Sequence, residues 1–429
     1  MNSSVNPTVP ARRWTFVIPV AVIMYMLAFV DRGNVAIILP YIGEDLPLSG
    51  SAKGLATGIF FIGYVLLQIP AAILAARWSA RNTVLILMVL WGLAATACGL
   101  VRTEGELYLA RFVLGVFEGG VWPAVLILLA SWFPLRERAR ANALWMACLP
   151  MSSMLMAPIS GWMLDNMSWR SVFVLQGLPP LVWAAVWFFA VADRPSKARW
   201  LSAAERDYVE NALREDQAAM PATGQASYGE TLRNRQVRLL VAVYFFWITG
   251  FYGFSLWLPS VVKRITHDGS ATVVGLLSAI PFLFALVAML LNAARSDRTG
   301  NRRAAVAVPP VIAAAGLLGG TVVHNGVVQM ALLCLVAAAV FAPYGPFWAM
   351  PAQILRFEVI AVAMGLINAI GNLGGFTGPY LVGWLDDRTG SSSAGFIVLA
   401  GFLLVSSLIT ALLLKPADRA GAEPVTMEA

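Results

Sequence analysis

The chain has 429 residues, 59% of them hydrophobic and only 12% charged, with a mean hydropathy of +0.73. That balance excludes a soluble globular domain and makes the bilayer its solvent. The formal net charge of +7 resides mainly in loop arginines and calls for no nucleic acid partner.

Apolar stretches of about 20 residues, the length that crosses a bilayer as a helix, run near 16–40, 54–76, 82–101, 107–133, 141–165, 171–192, 238–262, 272–294, 304–323, 327–350, 357–385 and 394–414. They are rich in Leu, Ala, Val and Gly and lack period-2 alternation, so twelve helices are expected and not barrel strands. A polar lead and two arginines precede the first stretch without a small-residue cleavage site, which reads as an uncleaved helix. Within it lies the pair Asp31-Arg32. The second span carries Tyr64 and, one turn on, Gln68; a tyrosine in such a run either packs as a ring or reaches a ligand.

The fourth span, RFVLGVFEGGVWPAVLILLASWF, holds Arg111 and Glu118. An ionisable group at a helix centre costs about 2.5–3.5 kcal/mol on insertion scales, so four of them persist only if paired, wet or handling a charged cargo. Seven residues separate Arg111 from Glu118, about 10 Å along one helix face, too far for a direct contact. The expected pairing is Asp31 with Arg111, leaving Glu118 to titrate in a partly desolvated setting; a fixed ion-pair cluster locking helices one and four is the alternative. Adjacent residues diverge by about 100°, so Asp31 and Arg32 face different ways.

Between residues 191 and 237 the composition turns polar and charged, separating six spans from six. A solvated connector is expected there, with Ser202–Arg214 the one segment that fits an amphipathic surface helix. In the tenth span Pro343, Pro346 and Pro351 surround Trp348, so this helix should bend and Trp348 stands as a cavity wall or a belt tryptophan. Asn368 and Asn372 lie one turn apart in the Gly-rich eleventh span; they either donate to a ligand or bond between helices. Gly115, Gly119, Gly371, Gly375 and Gly378 read as close-packing positions. Coupling chemistry is expected in the first six helices, with the second six shaping the pocket.

Arg12, Arg13, Arg77, Arg81, Arg136, Arg138, Arg140, Arg295, Arg298, Arg302, Arg303, Arg356, Lys415 and Arg419 fall on one side of the alternating loops. The other side carries only Lys53, Arg102, Arg170, Lys263, Arg264 and Arg388. Basic residues mark the cytoplasmic side, so a multi-pass inner (cytoplasmic) membrane protein with both termini inside is expected. Cys98, Cys148 and Cys334 are isolated in apolar runs and His267 and His324 lie in outward loops. No metal site, triad, GxSxG or Walker loop follows from them, which argues against an enzyme or sensor.

The halves echo each other at an offset of about 221 residues. AARWSARN (75–82) corresponds to ARSDRTGNRR (294–303), with Arg77 matching Arg298, and MAPISGWMLD around Pro158 corresponds to FTGPYLVGWLD around Pro379. Parallel six-helix repeats are one transporter plan, with the substrate near the midplane between them. The D-R-x-G-x-R arrangement of Asp297, Arg298, Gly300 and Arg302 resembles the signature loop of the major facilitator superfamily. In the first half Ala76 replaces the acid and Ser79 the glycine, while Arg77 and Arg81 remain. FVDRGNVAIILPYI, the fourth span and INAIGNLGGFTGPYLVGWL together resemble the anion:cation symporter family, and the stretch from Arg140 to Gly161 its branch of sugar-acid, tartrate and 4-hydroxyphenylacetate permeases.

That resemblance implies a six-helix bundle over 1–190, a cytoplasmic linker at 191–237, a second bundle over 238–415 and a cytoplasmic tail at 416–429. It implies proton-coupled uptake of a small organic carboxylate by a monomer, with the proton as coupling ion and no resident cofactor. Asp31 and Glu118 would be the proton-coupling acids, Arg32 the carboxylate anchor, whose planar fork suits that task, and Arg111 a partner in the charge network. Tyr64, Gln68, Trp348, Asn368 and Asn372 would line the substrate, and Arg77, Arg81, Asp297, Arg298 and Arg302 the gating loops. Phe29 stands where many relatives carry a tyrosine. A drug or metabolite antiporter is the rival, disfavoured because Ala157 and Trp162 interrupt the antiporter pattern around Pro158.

Overall fold

A computed structural model describes residues 12–42, 45–219, 227–267, 269–355 and 357–414; the tail at 416–429, with Arg419, and also Arg356 and Lys415, lie outside them. Eleven helices are individually long and apolar enough to cross a membrane: α1 (Arg12–Tyr41), α2 (Gly50–Arg77), α3 (Ala80–Ala97), α4 (Glu104–Trp132), α5 (Leu135–Asn166), α6 (Trp169–Ala190), α7 (Arg235–Ile265), α8 (Ala271–Thr299), α9 (Arg302–Val322), α10 (Gly326–Ala349) and α12 (Ser393–Leu413). The remaining crossing, α11, is made of two segments, Phe357–Gly371 and Gly374–Thr389. The fold is thus all-α, with twelve crossings in two six-helix bundles. Side-chain caps start most crossings, as at Ser49, Ser79, Thr103, Ser168, Ser270 and Asn325, each satisfying backbone donors that the helix leaves free.

Four crossings break partway: α4 at Gly120, α5 at Ala147, α10 at Ala342–Pro343 and α11 at Asn372–Leu373. In the first three a proline follows three residues after the break, at Pro123, Pro150 and Pro346. Each lacks the N–H that would bond four residues back, one missing hydrogen bond at each interruption, although Pro70, Pro158, Pro259 and Pro281 are carried inside unbroken helical segments. In α11 a Gly374-Gly375 pair follows instead.

The bundles meet along two seams at the end of the molecule far from Arg12: α2 against α11, and α5 against α8. Glycine makes both close. A Cβ on Gly54 would lie 2.6 Å from the Pro379 carbonyl oxygen, and one on Gly275 2.2 Å from that of Ala157. Likewise Gly383 meets Gly50 and Gly161 meets Ala271 backbone to backbone. At the tip of each seam a carboxylate caps the facing helix. Asp387 accepts from the Gly50 and Ser51 amides at 2.6 and 2.7 Å, and Asp165 from those of Ala271 and Thr272 at 2.9 and 2.8 Å. These are charge-assisted bonds at the positive end of a helix dipole, and they repeat, the amides 221 residues apart and the carboxylates 222.

The linker departs from the expected solvated connector. Helix Ala203–Ala219 is docked on the first bundle by Glu205, which is fully buried and accepts from the Arg12 and Arg13 amides at 3.2 and 3.1 Å and from Arg13 Nη1 at 2.8 Å. Arg13 also binds Glu137 at 2.8 Å, and the Tyr208 hydroxyl donates to Glu137 at 2.9 Å. Burial, and then the neighbouring Glu137, push the Tyr208 phenol up. Trp200 stacks on Trp132 with centroids 5.3 Å apart. A polar composition hid the few residues that tie the segment down.

Candidate functional site

Around the middle of α1 the charges fall into two groups on opposite sides of the helix. Arg32 faces the second bundle: its Nε donates to Glu118 Oε1 at 2.9 Å, its Nη2 binds the same oxygen, and its Nη1 donates to the Tyr252 hydroxyl on α7 at 3.0 Å. The guanidinium lies 4.6 Å from the Phe29 ring centroid, 4.8 Å from that of Tyr64 and 5.3 Å from that of Phe60. Asp31 points the other way, into the first bundle, where Trp91 Nε1 donates to its Oδ2 at 3.2 Å. Asp31, Arg111 and Glu118 are all fully buried, and Arg32 is 3% exposed.

The expected Asp31–Arg111 pairing does not form. Arg111 instead donates to three backbone carbonyls, those of Asp31 at 2.9 Å, Arg32 at 3.1 Å and Ala56 at 3.3 Å, pinning α1 and α2 to α4. The Asp31 carboxylate is turned to Trp91 instead, while Gly115 and Gly119 set the α2 and α4 backbones in contact at Phe60 and Tyr64 and so bring the Ala56 carbonyl within reach of Arg111. Glu118, left without a partner in the sequence reading, takes Arg32. Among the described residues Asp31 Oδ1 and Glu118 Oε2 have no hydrogen-bond partner, and a buried polar atom without one is costly.

The amides pair with one another. Asn368 Nδ2 donates to Gln68 Oε1 at 3.1 Å, and Asn372 Nδ2 donates to Asn368 Oδ1 at 2.9 Å, a chain that crosses from α2 to α11. Tyr64 packs over Arg32, as above. Trp348 is half-buried at the bundle interface, 5.1 Å from the Tyr244 ring and 6.4 Å from that of Trp122 on α4. A partly open space of about 40 Å³ borders Arg32 on its far side, lined among others by Phe29, Ser153, Tyr252, Ser255 and Ser278. That space fits a water or two.

The signature loops lie away from this centre. In the second half Arg302 pairs with Asp297 at 3.2 Å, Gly300 ends α8 at φ +67°, where a side chain would be strained, and Arg298 is exposed. In the degenerate first loop Asp193 stands in for the missing acid: it accepts from Ser79 Oγ at 2.6 Å and the Arg81 amide at 2.9 Å. Arg81 binds the Phe188 carbonyl and Arg77 is exposed. Tyr252, Trp91, Asp193 and the two capping aspartates join the residues expected from the sequence. Only the last two had a visible signal, the repeated GWMLD and GWLDD.

A sequence model of the Major Facilitator Superfamily matches residues 21–379 and 264–428. The chain is 35% identical over 416 residues, 95% of its length and 92% of the relative's, to a putative tartrate transporter of Agrobacterium vitis. It is 32% identical over 96% of both chains to a quinolone resistance transporter of Acinetobacter baumannii. Among solved structures, a bacterial homolog of the human lysosomal transporter Spinster superposes with a TM-score of 0.73 at 16% identity, covering 94% of this chain and 97% of that one.

Proposed function

The chain belongs to the major facilitator superfamily, so it is a membrane transporter and not an enzyme; from that premise we propose proton-coupled uptake of a small organic carboxylate by alternating access. The observation that carries this reading is the buried contact of Arg32 with Glu118 and Tyr252, one partner from each bundle. A guanidinium fork binds a carboxylate bidentately, and here Glu118 occupies the place a substrate carboxylate would take. Protonating Glu118 withdraws its charge from Arg32 and frees the fork; the incoming carboxylate then restores neutrality, and the loaded centre crosses without a bare charge. Asp31, behind the same helix, is the second proton site. Tyr252 would report occupancy of Arg32 to the second bundle.

In this scheme residues 1–190 and 238–415 are the two moving bodies, the chain works as a monomer with the proton as its only coupling ion, and both termini face the cytoplasm. The relative named as a tartrate transporter supports a hydroxylated diacid or a similar acid as the cargo. Export is a second reading, favoured by the relative named for quinolone resistance; accumulation as against extrusion in intact cells separates the two. Glu118→Gln tests the coupling directly. It should abolish uptake driven by a proton gradient and leave counterflow exchange of the same acid measurable. Surviving gradient-driven accumulation would exclude Glu118 as a proton site.

A further inference from the structure

A cavity of about 370 Å³ opens at the far end of the second bundle, beyond Arg32, between the end of α7, the α9–α10 turn and the α11–α12 turn. Its polar lining is Arg264, His267, His324, the three consecutive serines Ser391 to Ser393, and Gln329, whose Nε2 already donates to the Val323 carbonyl at 2.6 Å. The only two histidines of the chain therefore meet in one place. Among the described lining residues there is no carboxylate. Arg264 is held toward the cavity rim by a 2.8 Å bond from its Nη2 to Ser392 Oγ, and His267 is the one described non-glycine residue at positive φ, +49°.

The internal repeat gives this cavity a counterpart. At the offset of about 221 residues Thr266 corresponds to Asp45 in the first bundle, and Ser392, at the 222 that relates Asp387 to Asp165, corresponds to Arg170. There the end is filled from within: Asp45 accepts from Arg170 Nη1 at 2.6 Å and from Trp169 Nε1 at 3.1 Å, and the hydrogen bonds from Arg170, then Trp169, hold its carboxyl below the usual range. In the second bundle the acid is replaced by Thr266, whose hydroxyl turns back to the Val262 and Lys263 carbonyls of its own helix. The internal acid and its Arg170 and Trp169 donors are gone, and Arg264, His267 and His324 stand where the first bundle has Gly43, Leu46 and Thr103.

We propose that this cavity is a phosphate-binding site, distinct from the transport site, which takes a phosphate group either free in solution or on the head group of an anionic lipid. Arginine suits the oxyanion because its planar fork presents parallel donors. Imidazole offers an N–H in either protonation state, and serine hydroxyls rotate to donate. Donors arriving from three chain segments match an anion that accepts on several sides. The volume exceeds that of a bare phosphate and leaves room for a glycerol-sized substituent.

The test uses the full chain purified in detergent, titrated with inorganic phosphate and with glycerol phosphate against chloride at matched ionic strength, followed by thermal unfolding and direct binding. The proposal expects saturable binding that is weakened about tenfold in Arg264→Gln, the loss of one charge-assisted contact, weakened also in His324→Gln, and unchanged in Arg32→Lys, which alters the transport site alone. Because Arg264 also holds Ser392, His324→Gln keeps the test clear of folding effects. A second arm compares nanodiscs of phosphatidylglycerol and phosphatidylcholine: stabilisation by the anionic lipid that is lost in His324→Gln assigns the head group, and a response confined to soluble phosphate assigns the free anion. Absence of phosphate binding above chloride in both arms overturns the site, as does equal binding by His324→Gln. Asp268, next to His267, lies outside the described residues; binding that appears only in Asp268→Asn would mean the anion is internal and would also overturn it.

Discussion

Substituting Gly54 by alanine tests whether the two glycine seams are what closes the far end. A Cβ at this position would lie 2.6 Å from the Pro379 carbonyl oxygen and 2.9 Å from the Tyr380 Cα, both backbone atoms that cannot rotate aside. Carbon and oxygen approach to about 3.3 Å in the closest ordinary contacts, so α2 and α11 must separate by about 0.7 Å along a seam that also carries Gly50, Gly383 and the Asp387 cap. Overpacking of this kind costs about 1–3 kcal/mol. The cost falls only on the state in which the seam is closed, so the ratio of far-end-open to far-end-closed molecules should rise about 5- to 150-fold. Spin labels at Ser49 and Asp386 would read it by electron–electron distance measurement in nanodiscs. The native chain should give one short distance, and Gly54→Ala should add a longer component. Gly105→Ala, where a Cβ meets nothing within 4 Å, should leave the distribution native. An unchanged distribution in Gly54→Ala, with the variant folded, would refute the idea that this seam is the far-end gate.

Arg32→Lys should keep the protein folded and membrane-inserted but weaken carboxylate binding by about 1.5–3 kcal/mol, the worth of one charge-assisted hydrogen bond, or about 10- to 150-fold in affinity; native affinity for a transported acid would remove Arg32 from the substrate site. Glu205→Ala takes away three hydrogen bonds at a buried ion pair, with an expected stability loss of about 3 kcal/mol. It should also expose the linker between Ala198 and Ala219 to limited proteolysis, and a native cleavage pattern would show that the linker is held some other way.

The crossings were legible because a helix in lipid must be apolar over its whole length, and the buried charges stood out against that background. The partners were not legible, because pairing depends on rotation. Asp31 and Arg32 are adjacent, so the sequence implies that they diverge without saying which one meets α4. The structure turns Arg32 to Glu118 and sends Asp31 to Trp91. Arg111 escaped prediction for a different reason. Its partners are main-chain carbonyls, which every residue carries and no sequence pattern marks. Tyr252 sits in FYGFSLW, a run whose aromatic residues read equally well as packing. The amides Gln68, Asn368 and Asn372 were expected to line the substrate, with bonding between helices as the other reading of the two asparagines, and the structure joins the three to one another.

The breaks in α4, α5 and α11 divide each of these helices at a pivot. On the far side of the pivots in α5 and α11 lie the segments that carry the glycine seams, Cys148–Asn166 and Gly374–Thr389. On the near side lie Val121–Trp132, Leu135–Met146 and Phe357–Gly371, of 12, 12 and 15 residues, levers of about 18–23 Å at 1.5 Å per residue. A swing of about 15° at a pivot carries the tip of such a lever about 5 Å, the width of a small acid. Flexing of three such levers would therefore widen the near mouth while both seams stay shut, in addition to any movement of one bundle against the other.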